Sequence, residues 1–395
     1  MKNVLIISSN YTGHGHKSIS EALQEQFNLH KDVNINIIDG FDLGGNMGIR
    51  VGKSYGLVTR NAKELWNLAW KISSKNHSVI HEFVELSIKH NFLKLLRRLK
   101  PDLILCVHPV FNTPALNILK KYRINIPFVT FVADLISISP LWADKRASCI
   151  ICPTEEAKEK CMGFGVSEDS IKVMGFPVRS RFTQHISKKE QKQDYSLDKP
   201  LQCLIMSGGE GSGDMGLISK ILLDNFNCNV CIIAGRNKSL KEKLEKTLSQ
   251  QYPDRVNILG YVTNIEEYML TSDIAFTRGS PNVMMEAVAC SVPLIITGAL
   301  PGQEQENPDF AQRNNLGIVC KDTSSLSDIV SELLANNAKA LNIIKQSQQR
   351  YFDHKSAEKI AQYTLSLINK NMYVYPSEIG RRRKFSRLAL KAKIR

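Results

Sequence analysis

Twelve short apolar runs, arranged in two successive series, constrain the fold of this 395-residue chain more than any other feature. The runs are rich in Val, Ile and Leu, and they alternate with segments of helical periodicity. Such runs are typical of parallel strands that are covered by helices on both faces. They span residues 4–7, 34–38, 103–107, 128–132, 150–153 and 171–174, and then 201–206, 230–234, 256–259, 274–277, 293–297 and 317–319. The two series predict an α/β protein with two doubly wound, Rossmann-like domains that face each other across a cleft.

The length of the chain agrees with two domains, since a single hydrophobic core rarely extends over so many residues. A polar stretch rich in Lys, Gln and Asp separates the two series and is typical of a linker. We therefore place an N-terminal domain at 1–180, a linker at 181–200, a second domain at 201–353, and a terminal helix with a basic tail at 354–395.

The net charge of +14 is unevenly distributed along the chain. Residues 381–395 contain eight basic side chains and no acidic one, and residues 1–176 are also basic, whereas the region between them is neutral. This pattern indicates either a nucleic acid or an anionic membrane as partner. No apolar run reaches the roughly 18 residues of a membrane span, and the N-terminus does not have the pattern of a signal peptide. The nine scattered cysteines favour reduced thiols in a cytosolic protein without a metal site.

The first candidate site follows the first apolar run, where a glycine-rich turn leads into a helix. Gly13 and Gly15 allow backbone to approach a ligand closely, and His16 begins the helix. The positive end of the helix dipole disfavours a protonated imidazole there. A neutral histidine can accept a proton, so His16 is a candidate general base. The alternative is that His14 and His16 only cap or pack the turn.

The second series contains two further turns of this kind. The loop of residues 207–213 includes Gly208 and Gly209 and suits a phosphate or sugar contact, with a plain tight turn as the alternative. After the run 274–277, Ser280 is a candidate N-cap of a helix whose first N–H groups suit a diphosphate. Glu286 on this helix is placed to accept hydrogen bonds from ribose hydroxyls, unless it is an ordinary surface glutamate.

Five other segments are candidates for substrate or membrane contact. The polar loop 301–308, with Gln303 and Glu304, suits sugar hydroxyls, although by itself it is typical of a solvated loop. The glycine-rich segment 40–53 is predicted to be a mobile acceptor lid. Residues 92–100 and the tail from Arg381 are predicted to form basic amphipathic helices that bind an anionic interface, with a disordered end as the alternative for the tail. Trp66 and Trp70 share one helix face and belong either to the core or to a membrane-facing patch.

Several short motifs in this order resemble one enzyme family over nearly residues 1–350. The chain resembles glycosyltransferase family 28, in the branch of monogalactosyldiacylglycerol synthases and processive diacylglycerol glucosyltransferases. The matching motifs are Gly13-x-Gly15-His16, Trp142 with residues 152–156, and the segments 175–179, 208–211, 235–238, 260–264 and 301–304.

This resemblance implies the GT-B architecture and an inverting, metal-independent transfer of a hexose from a UDP-sugar to diacylglycerol or a related glycolipid. His16 matches the catalytic base, and Gly13, Gly15 and Trp142 would contact the acceptor. The residues implied in donor binding are Arg179, Gly208, Gly209, Val262, Ser280, Glu286, Gln303 and Glu304. No cofactor, metal or nucleic acid is implied, and the protein is expected to lie peripherally on the cytoplasmic face of an anionic membrane.

One departure from the family concerns the turn before Glu286. The usual glycine-rich, threonine-containing turn is here Arg278-Gly279-Ser280-Pro281-Asn282, which adds an arginine and changes the surroundings of the diphosphate and the sugar. This departure keeps open a second function, a catalytically silent UDP-sugar-binding membrane protein. A third, a sugar-nucleotide epimerase, remains open because it shares the same architecture.

Overall fold

The computed structural model describes residues 1–12, 15–61, 77–184, 198–206 and 214–368; within the two helices that border 62–76, the side chains of residues 55–61 and 77 are not described. The described residues form two six-stranded sheets in which every strand pair is parallel. The first sheet has the order β2-β1-β3-β4-β5-β6 and the second β12-β11-β10-β7-β8-β9. The two doubly wound sheets confirm the predicted fold class.

All twelve predicted runs are strands: the apolar side chains of the central strands are buried between helices, and those of the outer strands are mostly half-buried. Strands β1 to β6 are Lys2–Ser8, Val33–Asp39, Leu103–Cys106, Phe128–Phe131, Cys149–Cys152 and Ile171–Val173. Strands β7 to β12 are Leu201–Met206, Cys228–Ile233, Val256–Leu259, Ile274–Thr277, Leu294–Ile296 and Gly317–Val319.

Twelve α-helices lie within the described ranges, five before β7 and seven after it. Helices α1 to α5 are Gly15–Phe27, Gly45–Asn61, His77–Leu99, Asn112–Lys121 and Glu155–Gly163. Helices α6 to α12 are Met215–Asn225, Lys238–Leu244, Ile265–Thr271, Pro281–Ala289, Asn307–Arg313, Leu326–Tyr351 and Ser356–Ser366. Helix α11 is interrupted at Asn336 and Asn337, whose φ angles are positive. None of the helices in these ranges has an apolar stretch long enough to cross a bilayer.

The prediction of a mobile loop at 40–53 is wrong, because this segment is a 3-10 turn, Gly40–Gly44, followed by helix α2. Its glycines allow close packing. A Cβ on Gly48 would overlap the carbonyl group of Phe41, and a Cβ on Gly52 would press on the side chain of Tyr11. The glycines therefore let α2 approach the loop after β1, where a larger side chain would hold it away.

The segment 92–100 is helical over nearly its whole length, as predicted, but its apolar side chains pack inside the protein and do not face a membrane. It is the last part of α3, and its apolar side chains Phe92 and Leu96 are fully buried in the core of the N-terminal half. Arg97 and Arg98 lie in the last turn, where cations interact favourably with the helix dipole. The apolar face of this segment is therefore not available to a membrane.

The last helix, α12, returns to the N-terminal half. Ala357, Ile360 and Ala361 are buried in the same core cluster as β1 and α1. A Cβ on Gly175, whose φ is +78°, would overlap the hydroxyl of Ser356 at the start of this helix. The N-terminal half is thus completed by residues from the end of the described chain.

Candidate active site

The site begins where strands β1 and β3 end, at the point of the first sheet where strand order reverses. Ligands of doubly wound sheets bind in the crevice outside such a point. His16 is the second residue of α1, and His108 lies two residues beyond β3. Their ring centroids are 4.5 Å apart, and the ring of Trp142 lies 6.3 Å from that of His16.

His16 is held neutral by its surroundings. Its side chain is buried, and desolvation lowers its pKa to about 4, although the Val107 carbonyl opposes part of this shift. Its Nδ1 atom is buried and has no hydrogen-bond partner among the residues that the structure describes. A neutral imidazole with an unpartnered ring nitrogen is able to take a proton from a hydroxyl group.

His108 has a different role, and the sequence reasoning did not identify it. The backbone N–H of Val110 donates to His108 Nδ1 over 3.4 Å, which assigns the ring hydrogen to Nε2. This Nε2 lies 3.1 Å from the Thr12 hydroxyl. Burial, with the neighbouring His16, lowers the pKa of His108 well below its ordinary value. Since both of its nitrogens are engaged, His108 holds the loop before His16 in place, and of these two histidines only His16 has a ring nitrogen without a partner among the described residues.

The lowered pKa of His16 predicts a pH dependence of stability. The unfolded chain protonates this residue near pH 6.5, while the folded chain protonates it near pH 4. The contribution of neutral His16 to the free energy of unfolding is therefore fully present above about pH 6.5. Up to about 3 kcal/mol of it is lost as the pH drops towards 4. When thermal unfolding is measured at pH 7 and at pH 5, the melting temperature should fall less in His16→Gln than in wild type. The exposed His90→Gln variant should behave like wild type, and parallel curves for all three proteins would contradict the assignment.

Asp134 links the two halves of the molecule just beyond β4. The fully buried Trp142 donates from Nε1 to Asp134 Oδ2 over 2.7 Å, and Gln303 donates from Nε2 to Oδ1 over 3.4 Å. Burial raises the pKa of Asp134 to about 6, and the charge of Glu304 adds to this effect. The ring of Trp142 has no exposed surface in this arrangement, so it supports Asp134 and is not itself available to an acceptor.

Glu304 is buried and held by two partners. Its Oε2 accepts a hydrogen bond from the Leu300 N–H over 2.9 Å and lies 3.2 Å from Arg278 Nε. The arginine that distinguishes the turn before Glu286 is thus the counter-ion of this carboxylate. The alternative of a solvated loop at 301–308 is wrong for Glu304, which is 4% exposed.

Glu286 lies on α9 and contacts the N-terminal half. Its Oε1 accepts hydrogen bonds from Ser18 Oγ over 2.8 Å and from Arg179 Nη2 over 2.9 Å. Arg179 also pairs with Glu21 over 3.1 Å through Nη1. Burial raises the pKa of Glu286, although Arg179 opposes this shift. At 6% exposure, Glu286 is not the surface glutamate of the alternative interpretation.

Ser280 has the position predicted for it but not the predicted hydrogen bond. It is the N-cap residue of α9 and is followed by Pro281, yet its side chain caps no N–H group of the described helix. The first-turn N–H groups therefore keep their capacity to bind an anion. A Cβ on Gly15 would overlap the amide of Asn282, so the starts of α1 and α9 are in close contact.

The remaining candidates lie at the edge of the site or outside the described residues. Val262 is half-buried in the loop after β9, the edge strand of the second sheet. Among the described residues, no group of three His, Cys, Asp or Glu side chains is placed to hold a metal ion. The predictions for the following residues and for the basic tail lie outside the described ranges: Gly13, His14, Trp66, Trp70, Gly208, Gly209.

Comparison with known proteins agrees with this architecture. The chain matches the family model of monogalactosyldiacylglycerol (MGDG) synthase at residues 16–178 and that of glycosyl transferases group 1 at residues 218–350. It is 28% identical to MGDG synthase 1 of Arabidopsis thaliana, over 93% of this chain and 72% of that protein. It is also 28% identical to the MGDG synthase of Spinacia oleracea, over 94% and 74% of the two chains.

Solved structures show the same fold at low sequence identity. The S. aureus MnaA–UDP co-structure superposes with a TM-score of 0.61 at 17% identity, over 96% of this chain and 100% of that one. MurG of Acinetobacter baumannii gives a TM-score of 0.61 at 12% identity, over 93% and 100%. The fold and the matched families together define a glycosyltransferase of the GT-B class. Within that class, the chain is similar to the MGDG synthases over more than nine-tenths of its length, as the resemblance to glycosyltransferase family 28 predicts.

Proposed function

We propose that this protein transfers a hexose from a UDP-sugar to the hydroxyl group of diacylglycerol or a related glycolipid, with inversion and without a metal ion. The observation that carries the proposal is the neutral, buried His16, whose Nδ1 is unpartnered among the described residues, on one side of the cleft. Glu286, Gln303 and Glu304 lie on the other side. The similarity to MGDG synthases over more than nine-tenths of the chain supports the choice of substrates.

The geometry supports a single displacement at the anomeric carbon. His16 accepts the proton of the lipid hydroxyl as that oxygen attacks, and the bond to the diphosphate breaks as the new bond forms. The start of α9 stabilises the departing diphosphate through its N–H groups. Arg179 adds a positive charge, for which the diphosphate competes with Glu21 and Glu286. Attack from the face opposite to the leaving group inverts the anomeric centre.

Glu286, Gln303 and Glu304 have the chemistry that donor recognition requires. The carboxylate of Glu286 is an acceptor for ribose hydroxyls, and Glu304 is oriented by Arg278 and the Leu300 N–H. Gln303 contributes both a donor and an acceptor for sugar hydroxyls. Val262 lies on the loop that we assign to the uracil base.

An apolar surface on α2 and α3 supports a lipid acceptor. Met47, Val51 and Phe83 are exposed around a shallow groove. Phe41 and Phe111 line the same groove, and their ring centroids lie 5.4 and 5.1 Å from that of His108, which packs on His16. An acyl chain in this groove would bring the lipid hydroxyl towards the base, with the surface docked peripherally on the cytoplasmic face of the membrane.

The function is tested by incubating the protein with diacylglycerol vesicles and separate samples of UDP-glucose, UDP-galactose and UDP-N-acetylglucosamine. We expect one donor to give a β-linked glycolipid of the corresponding mass and to release UDP, with the rate unchanged in EDTA. A new UDP-sugar isomer formed without lipid would identify an epimerase instead. UDP binding without any product from the three donors would identify a silent sensor.

Deleting residues 381–395 should weaken membrane binding without affecting the donor site. Each Lys or Arg near an anionic surface contributes roughly 1 kcal/mol, and this tail, which lies outside the described residues, has eight of them. We expect less sedimentation with phosphatidylglycerol-containing vesicles, lower activity on lipid and an unchanged affinity for UDP. Neutral phosphatidylcholine vesicles are the control, and high salt should abolish the difference. If the truncated protein sediments as well as the full chain, the tail has no docking role.

A further inference from the structure

One hydrogen bond joins the helix that carries His16 to the carboxylate assigned to ribose. Ser18 lies on α1 in the N-terminal half, and its hydroxyl donates to Glu286 Oε1 on α9 over 2.8 Å. Both residues are buried. Because the two helices belong to different sheets, this bond spans the cleft in which the donor is expected to bind.

The oxygen that accepts this bond has a second partner. Arg179 Nη2 donates to the same Oε1 over 2.9 Å, so both lone pairs of the oxygen are used. Arg179 is held in place by Glu21 through its other terminal nitrogen and lies over the ring of Phe182. Ser18 is the uncharged partner and makes the weaker of the two bonds. A further hydroxyl that approaches Oε1 is therefore expected to displace Ser18 and not Arg179.

We propose that the Ser18 hydroxyl takes the position on Glu286 that a ribose hydroxyl occupies in the complex with the nucleotide-sugar, so that Ser18 and the donor compete for one oxygen. The two groups are chemically alike, since each is an aliphatic hydroxyl that donates to a carboxylate. This inference rests on the proposed function, because it takes Glu286 as the ribose-binding residue.

The competition also connects the donor to the catalytic base. Ser18 lies two residues after His16, and the start of α1 touches α9 through Gly15 and Asn282. Release of Ser18 removes a bond that holds the start of α1 against α9. Donor binding is thereby linked to the position of the helix that presents His16 to the acceptor.

The test is the affinity for UDP, measured by calorimetry on the full chain. In Ser18→Ala the ribose no longer has to displace a bound hydroxyl, so we expect UDP to bind about tenfold more tightly than to wild type. The matched control is Ser20→Ala on the same helix, since Ser20 bonds to Ser8 and to the His16 carbonyl within the N-terminal half. Its UDP affinity should stay within about twofold of wild type.

Unchanged or weaker UDP binding in Ser18→Ala would overturn the inference. Removing a residue that helps to bind the nucleotide weakens UDP binding, whereas removing a competing hydroxyl strengthens it. Ser18→Cys, whose thiol is a poor hydrogen-bond donor, should give a smaller increase in UDP affinity than Ser18→Ala. If the alanine variant does not fold, the cysteine variant provides the same test. If wild type binds UDP and Glu286→Ala weakens that binding while Ser18→Ala does not tighten it, only this inference fails. If wild type does not bind UDP, the proposed function fails with it.

Discussion

Replacing His16 by alanine is expected to lower the rate of glycosyl transfer by about 10²–10⁴-fold while leaving UDP affinity unchanged. The reason is that the acceptor hydroxyl loses the group that takes its proton, whereas Glu286, Gln303 and Glu304 all lie on other elements. The burial that lowers the pKa of His16 to about 4 also keeps the ring neutral at pH 7. The measurement is kcat with diacylglycerol vesicles at saturating donor, together with the Kd for UDP.

Two further variants make this test specific. His90→Ala removes an exposed histidine from α3 and should retain wild-type activity. His108→Asn keeps a polar side chain next to Thr12, and we expect a smaller loss than in His16→Ala because His108 positions the loop. If His16→Ala turns over at a near-normal rate, or His108→Asn is the more damaging change, the base has been assigned to the wrong histidine.

The second large effect is expected at Glu286. Glu286→Ala removes the acceptor for the ribose hydroxyls, and hydrogen bonds to charged groups contribute about 1.5–3 kcal/mol each, so the donor KM should rise by about 10²-fold. The product should be unchanged, since Gln303 and Glu304 are assigned to the hexose. Glu286→Gln keeps a carbonyl oxygen that can accept from ribose but loses the ion pair with Arg179. It should therefore show an intermediate KM.

This prediction separates a binding residue from a structural one. A variant that disrupted the packing of α9 would lower kcat and thermal stability together with the affinity. We expect kcat at saturating UDP-sugar to stay within a fewfold of wild type. An unchanged donor KM in Glu286→Ala would show that this carboxylate only joins the two halves through Ser18 and Arg179.

The strands could be predicted from the sequence because buried parallel strands leave an unambiguous pattern of apolar runs. The segment 40–53 was more difficult, since glycine is compatible both with mobility and with close helix packing. Gly48 and Gly52 are four residues apart, which places them on one face of a helix. That spacing is the signal in the sequence that favours a packed helix over a mobile loop.

The chemistry of the site was only partly predictable. His16 and Glu286 could be selected as candidates because each lies in a turn or helix that follows a predicted strand. His108 and Asp134 also follow strands, β3 and β4, within two or three residues, and this position was the available signal for them. The contacts of Ser18 with Glu286 depend on how the two sheets are placed, which no local pattern in the chain reports.

The return of α12 to the N-terminal half has a consequence for how the protein is synthesised. Residues 356–366 fill part of the core around α1, so that core remains incomplete until these residues have left the ribosome. The intervening half, from β7 to α11, can fold first, because its strands and helices are contiguous in sequence. A nascent chain that stops before Ser356 would expose the apolar face against which Ile360 packs, and would be a target for chaperones. The half that is translated first is therefore expected to be the last to reach its final packing.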